Sequence, residues 1–237
     1  MSGLIEYKNV KEIKTYKGVS TIRLINGDCM EIMRQLPDNY FSLAITDPPY
    51  GIGADAVQKK GADSGVKING GGWKKYKETS WDLHIPKNEY FKELFRVSEN
   101  HIIWGGNYFD INISGVVVWN KYENGTLPHG EMAKTNIKTF KIFNMSRADA
   151  YINNVDVKIH PTQKPVALYE WLLTNYAKSG DKILDTHGGS MSSAIACYNL
   201  NYDLDICELD KDYFEQAKKR FEKHKSQLRI DDMFGQE

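Results

Sequence analysis

Asp47-Pro48-Pro49-Tyr50 joins a carboxylate, two rigid prolines and an aromatic ring with a polar tip in four consecutive residues. The quartet ends the apolar run Phe41-Ser42-Leu43-Ala44-Ile45-Thr46, which reads as a buried strand. Open α/β sheets bind ligands beyond the carboxyl ends of their strands, so the quartet stands where chemistry is expected. Two prolines remove two backbone N–H donors and keep the chain extended, which lets nearby carbonyls face a ligand. Asp47 adds a carboxylate acceptor, and Tyr50 adds a flat face. Together these groups suit a planar molecule bearing an NH2 group, such as a nucleobase with an exocyclic amine. The same four residues could also form an ordinary strand-end turn, and the rest of the chain has to decide.

A second group of residues lies near the C-terminus. Asp181 to Asp185 reads as a strand running into the small-residue turn Thr186-His187-Gly188-Gly189-Ser190, followed by a helix and a strand that ends at Glu208. Glu208 stands about 23 positions beyond Asp185, and in dinucleotide-binding units the acid that holds the ribose lies about 20 residues on. The turn is not GxGxxG, and no P-loop lysine accompanies it. An adenosyl group without phosphates therefore fits better than a pyrophosphate. Gly188 and Gly189 let the backbone approach a ligand with no Cβ in the way. A tight βα turn with an unrelated acid is the competing reading.

The elements that must position these residues alternate strand with helix, which predicts an α/β fold with a Rossmann-like, mostly parallel sheet and helices on both faces. The 237 residues favour one domain. Strands are expected at 21–28, 41–46, 100–104, 116–119, 181–185 and 202–207, and helices at 29–36, 88–97, 166–177, 191–200 and 212–223, with a frayed tail from Ser226. Residues 1–20 read as an edge strand or loose arm. The glycine- and lysine-rich stretch at about 51–80 is too long for an ordinary loop and is expected to be a flexible insertion. Residues 121–158 are basic and show no strong period.

Hydrophobic residues make up 41 % of the chain and charged ones 26 %, enough for a sizeable core. The first eight residues lack an apolar signal core and no apolar run could span a membrane, so a cytoplasmic protein is expected. Cys29, Cys197 and Cys207 are odd in number and without CxxC spacing, which suggests reduced thiols and no metal site. The formal net charge of zero argues mildly against a nucleic-acid binder, although a local basic face would suffice.

The two constellations and the string His160-Pro161-Thr162-Gln163-Lys164-Pro165 together resemble an amino-methylating DNA methyltransferase, in the β-type permuted order with the catalytic quartet first and the cofactor turn last. Asn26-Gly27-Asp28, Gly105-Gly106-Asn107-Tyr108-Phe109 and Cys207-Glu208-Leu209-Asp210 extend the likeness over residues 21–223. It departs in the cofactor turn, which in the family reads Asp-Pro-Phe-x-Gly-Ser-Gly-Thr-Thr. Here His187 replaces the aromatic and Met191 the second glycine, adding bulk where the backbone normally passes the ligand.

The resemblance implies methyl transfer from S-adenosylmethionine to the exocyclic amine of adenine in DNA. Asp47 and the Pro48 carbonyl would accept the two amine hydrogens, with Pro49 and Tyr50 completing the site and Tyr50 stacking on a flipped base. Asp28 and Cys29 would flank the cofactor's adenine, Glu208 its ribose, and His160, Thr162 and Lys164 its amino-acid end. Asp47, Asp185, His187, Gly188, Gly189 and Ser190 complete that pocket. A lysine before proline is usually solvated, so Lys164 is the least constrained of these. Lys59, Lys60, Lys74 and Lys75 in the insertion, and Lys138, Lys141 and Arg147 in the 121–158 target-recognition segment, are the DNA-contact candidates. That segment is short, and a homodimer would enlarge the recognition surface. The residues name neither a target sequence nor a restriction endonuclease partner. Methylation of the cytosine amine and a non-catalytic cofactor- or DNA-binding protein are the competing functions.

Overall fold

The computed structural model describes residues 9–15, 17–52, 84–122, 128–152, 159–160 and 162–234. The chain order is β1 (Val10–Lys14), β2 (Thr21–Asn26), α1 (Cys29–Met33), β3 (Phe41–Thr46), α2 (Asn88–Val97), β4 (Ser98–Trp104), β5 (Gly115–Asn120), β6 (Gly130–Thr135) and β7 (Phe140–Asn144). Then follow α3 (Arg147–Ile152), α4 (Val166–Tyr176), β8 (Lys182–Asp185), α5 (Ser192–Leu200), β9 (Asp203–Glu208) and α6 (Lys211–Phe234). The strands form one nine-stranded sheet in the order β1-β2-β9-β8-β3-β4-β6-β5-β7. Pairing is parallel from β2 through β9, β8 and β3 to β4. β1 lies antiparallel at one edge, and β6 runs antiparallel between β4 and β5.

Both faces of the sheet are covered because its central strands alternate two apolar faces. Ile22, Leu24, Ile102, Trp104, Leu204 and Ile206 pack on one side with α4, α5 and α6. Ile25, Ala44, Ile103, Leu184 and Cys207 pack on the other with α1 and α2. In α2 the buried residues Tyr90, Phe91, Leu94 and Val97 recur at helical spacing, which makes one apolar stripe. α5 is buried almost all round, and its small residues Ala194, Ala196 and Cys197 let it fit between the sheet and its neighbours.

The chain leaves β3 for β4 in one direction and β8 for β9 in the other. Between β8 and β3 the strand order therefore reverses, and a crevice opens beyond their carboxyl ends. Asp47 follows β3 and Thr186 follows β8, so the two sequence constellations meet there.

Three features depart from the sequence reading. The stretch without period contains β6 and β7. Glu131 shares the parity of buried Ala133 and Thr135, so a charged residue on the core-facing side masks the alternation of β6. β7 is an edge strand whose Phe140 is 70 % exposed. Finally, α6 continues to Phe234, beyond the expected fraying point.

Arg96, in the last turn of α2, ties the two helices on its face together. Its guanidinium donates to the carbonyls of Met33 and Leu36 at 2.7 Å each, just where α1 ends and helical acceptors run out of intrahelical partners. Arg96→Ala should lower unfolding free energy by about 1–3 kcal/mol, the effect of losing charge-assisted bonds to half-buried carbonyls. Urea titration of the two proteins tests this, and an unchanged midpoint would contradict it.

Candidate active site

A cavity of about 630 Å³ opens in the crevice, inside the roughly 300–1,000 Å³ span of small-molecule pockets. Gly27, Asp28, Cys29, Thr186, His187, Gly188, Gly189, Ser190 and Glu208 line one side. Asp47, Pro49, His160, Thr162, Gln163 and Lys164 line the other, with Tyr169 and Tyr213 from the helices. Cys29 is a buried thiol pushed up to about 12 by burial, so it acts as a small wall residue rather than a nucleophile.

The turn after β8 is built on Asp185. That carboxylate is fully buried under the turn and is not part of the cavity wall. It accepts from the Ser193 hydroxyl at 2.5 Å and the His187 N–H at 3.0 Å, and burial pushes its carboxyl up to about 7. Gly188 donates to the Cys207 carbonyl at 2.7 Å, and a Cβ there would come within 3.0 Å of Ile206. Glu208 accepts the N–H groups of Gly189 and Asp210, each at 2.8 Å. Asp28 caps α1 by accepting the Met30 N–H at 2.8 Å. His160 and Thr162 face the cavity joined by a 3.1 Å bond between the Thr162 hydroxyl and His160 Nδ1.

The two departures in this turn are accommodated differently. Met191 does not narrow the cavity as expected. It holds a left-handed backbone with φ of 58°, and its side chain is fully buried in the core away from the lining. The glycine-like conformation is kept at some steric cost, and the apolar side chain is used for packing. His187 does face the cavity. Burial holds its ring down at about 4, so it is neutral. Its Nδ1 lies 2.9 Å from the Thr186 hydroxyl, within a buried cluster that includes Thr46 and Tyr90.

At the Asp47 end the geometry is charged and half-buried. Tyr50 donates its hydroxyl to Asp47 Oδ1 at 2.5 Å, and Lys164 Nζ lies 2.5 Å from Oδ2. The same ammonium is 3.0 Å from Glu131 and donates to the Tyr50 oxygen at 3.2 Å. Glu131 also pairs with Lys121. Lys164 is therefore not solvated; it is 3 % exposed. Burial pushes the Glu131 carboxyl up, but the ammoniums of Lys164 and Lys121 outweigh it and bring it down to about 2. Burial also disfavours charge on Lys164, and its two carboxylate partners outweigh that and raise its pKa. Asp47 is held above the usual carboxylate range by burial, with Lys164 pulling the other way.

The Tyr50 ring stacks on Tyr108 with centroids 5.1 Å apart, so one face is already covered by a side chain that is itself partly exposed. A Cβ at Gly105 would lie 2.2 Å from the Tyr50 ring, which explains the glycine after Trp104. Glu131 and Lys121 were missed in the sequence because they lie in the stretch assigned to recognition. The alternation of Glu131 with Ala133 and Thr135 was the available signal.

The basic candidates are described only in part. Lys59, Lys60, Lys74 and Lys75, like most of the 51–80 insertion, lie outside the described residues. Antiparallel β6 carries the chain from the carboxyl ends of the parallel strands toward their amino ends, so Lys138 and Lys141 fall away from Asp47. Lys141 donates to Asn175 at 2.7 Å and sits over the Tyr176 ring. Arg147 opens α3, after the chain has returned along β7.

The wall composition tests which cofactor fits. Asp28, Asp47, Glu208 and Asp210 line the cavity, and among the described residues the one lysine or arginine in the lining, Lys164, is already held by two acids. Such a wall repels a pyrophosphate and suits a ligand with positive charge, as S-adenosylmethionine has on its sulfonium and ammonium. The fold and this site define an S-adenosylmethionine-dependent methyltransferase.

Known proteins show what the chain is similar to. A family model for N6- and N4-methyltransferases, described as DNA methylase, matches residues 117–219. Type II methyltransferase M.HpaI of Haemophilus parainfluenzae is 25 % identical over 247 residues, spanning 84 % of this chain and 74 % of that protein. Type II methyltransferase M2.DpnII of Streptococcus pneumoniae is 21 % identical and spans 92 % and 96 %. Among solved structures, the M1.HpyAVI–SAM complex has a TM-score of 0.55 at 19 % identity, covering 84 % of this chain and 98 % of its own. PvuII DNA methyltransferase (cytosine-N4-specific) has a TM-score of 0.57 at 11 % identity, covering 86 % and 90 %. The structures agree in fold. The chain is similar to the amino-methylating DNA methyltransferases, by family model over residues 117–219 and by relatives along most of its length.

Asp185 also sets a pH dependence of stability. Its ordinary value is 3.8 and its folded value about 7, so between these the folded state holds a proton that the unfolded state releases. This contribution is complete below 3.8 and is lost as pH rises through 7. His101 and His187, both held down at about 4 by burial, act oppositely and lose their contribution as pH falls below 6.5. Asp185→Asn should therefore gain on wild type by about 2–4 kcal/mol between pH 4 and pH 7. Urea unfolding across that range tests it; a constant offset would contradict the assignment.

Proposed function

We propose that this chain methylates the exocyclic N6 of adenine in DNA, with Asp47 holding the amine. The observation that carries the reading is a half-buried carboxylate, paired with a buried lysine and followed by two prolines and a tyrosine, on the wall of a cavity suited to S-adenosylmethionine. When bound, S-adenosylmethionine supplies a methyl group on a positively charged sulfur.

An aromatic amine is a weak nucleophile because its lone pair is delocalised into the ring. Asp47 Oδ1 and the Pro48 carbonyl would accept its two hydrogens, letting the nitrogen pyramidalise and expose the lone pair. Positioning and fixed charge do most of the work. Asp47 need not be a strong base, since the proton leaves late, and its raised pKa suits a group that receives one. The target base has to leave the duplex to reach the pocket, and the Tyr50–Tyr108 pair offers it a stacking surface. Glu208 would take the ribose hydroxyls, with Asp28 and Cys29 at the adenine. Asp47 in first place favours adenine, since the family's tendency pairs Asp with adenine and Ser with cytosine. The neighbouring fold of a cytosine-N4 enzyme keeps the cytosine amine as the second reading. We assign DNA contact to the 51–80 insertion and the segment around Arg147.

Incubation with methyl-labelled S-adenosylmethionine and unmethylated duplex DNA, followed by digestion to nucleosides, should place the label in N6-methyladenine. Label in N4-methylcytosine would move the target to cytosine, and none in DNA would overturn the reading. Asp47→Ala should lower turnover more than about 100-fold, near 2.7 kcal/mol. A loss below tenfold would remove Asp47 from the mechanism.

A further inference from the structure

We propose that Glu131 is a positioning residue for the catalytic carboxylate: it anchors Lys164 so that this ammonium holds Asp47 Oδ2 and leaves Oδ1 to the target amine. The inference rests on the function proposed above, and it adds a residue from a strand outside every motif of the resemblance.

The geometry that carries it is a chain of alternating charge, Lys121–Glu131–Lys164–Asp47, ending on the Tyr50 hydroxyl. An ammonium has three N–H donors. Those of Lys164 find Asp47, Glu131 and the Tyr50 oxygen, so none is left for the amino-acid end of a cofactor. Lys164 thus acts on Asp47. The two carboxylates pull its ammonium from two sides, and its distances of 2.5 Å to Asp47 and 3.0 Å to Glu131 fix its place between them. The rings of Trp104 and Tyr50, with centroids 5.3 and 5.7 Å from Nζ, complete the enclosure.

The topology explains why this residue comes from β6. Because β6 is antiparallel to β4, Ala133 stands opposite Trp104, and Glu131 lies just past the carboxyl end of β4 on the same face. Trp119 pairs with Glu131 across β5 and β6, and Lys121 follows Trp119 on the same side. Lys121 covers the Trp119 ring with its ammonium 4.4 Å from the centroid. A strand that turns back against the parallel set thus delivers an acid to the end of the sheet where β3 delivers Asp47.

The consequence is a division of labour between the two oxygens of Asp47. Lys164 keeps Oδ2. Tyr50 caps Oδ1 in the free chain, and a hydroxyl is a neutral donor that an incoming amine can replace in kind. If Glu131 no longer shared it, Lys164 would be free to move over the whole Asp47 carboxylate and compete with the amine for Oδ1. The groups that set the charge at Asp47 are Lys164, Glu131, Tyr50, Tyr169 and Asp185, with Lys121 behind Glu131.

The test uses the whole chain with S-adenosylmethionine and duplex DNA under the methyl-transfer assay. Glu131→Gln should lower kcat at least tenfold with KM for S-adenosylmethionine within threefold. The acidic limb of the pH–rate profile should move to lower pH, because Asp47 loses a like charge and gains a tighter ammonium. Lys164→Met should move the limb to higher pH. Because Glu131→Gln leaves Lys121 buried beside an amide, the double variant Lys121→Met/Glu131→Gln restores charge balance. It should unfold within a few degrees of wild type while keeping both kinetic effects. Kcat within threefold of wild type and an unmoved limb, in either folded variant, would overturn the proposal. If neither folds, Glu131→Asp keeps the charge and withdraws the carboxylate by one methylene. Unchanged kcat and limb there would overturn it, and a drop in kcat with steady KM would support it. Wild type without methyl transfer would instead sink the function itself.

Discussion

One buried ammonium, that of Lys164, sits between two half-buried carboxylates, and the Asp47 end of the cavity is organised around it. Charges taken out of water are tolerated only when paired and hydrogen-bonded, and removing one partner leaves the other exposed to the full desolvation cost. Here signs alternate along four residues, so every charge has an opposite neighbour. Those residues come from the ends of β3 and β5, the start of β6 and the loop before α4. Pairing them brings four distant parts of the chain to one point and holds Asp47 in one orientation.

The sheet then separates what must stay apart until reaction. Beyond the reversal between β8 and β3 lie two half-sites. The turn after β8 and the end of β9 form a cradle of glycines with Glu208 at its rim, while the end of β3 presents Asp47. The cradle is shaped by backbone, since a Cβ at Gly188 would crowd the Ile206 side chain and Glu208 is oriented by two N–H groups. The Asp47 end is shaped by side-chain charge. Among the described residues the acidic lining favours a cationic cofactor over a pyrophosphate.

Much of this was legible in the residues. Asp47 to Tyr50 and the turn at Asp185 to Ser190 were read as strand-end sites because apolar runs lead into both, and the strand order does bring them to one cavity. What escaped was non-local. The strand character of Gly130 to Thr135 was hidden because Glu131 points inward for the sake of Lys164, a reason invisible without the fold. Lys164 looked like a solvated lysine because its partners lie 33 and 117 positions away in sequence. Met191 was expected to crowd the pocket because a sequence does not say which way a left-handed residue points its side chain. Lys138 and Lys141 were read as DNA contacts from a basic stretch alone, and the direction of β6, which sets them away from Asp47, was not legible there.

The account turns on the claim that one cavity has a cofactor end at Glu208 and an amine end at Asp47. Calorimetric titration of S-adenosylmethionine into wild type, Glu208→Gln and Asp47→Asn tests this most directly. One molecule should bind per chain. Glu208→Gln should weaken affinity at least tenfold, about 1.4 kcal/mol, and Asp47→Asn should stay within threefold of wild type. Equal losses in both variants, or no loss in Glu208→Gln, would contradict the division of the site.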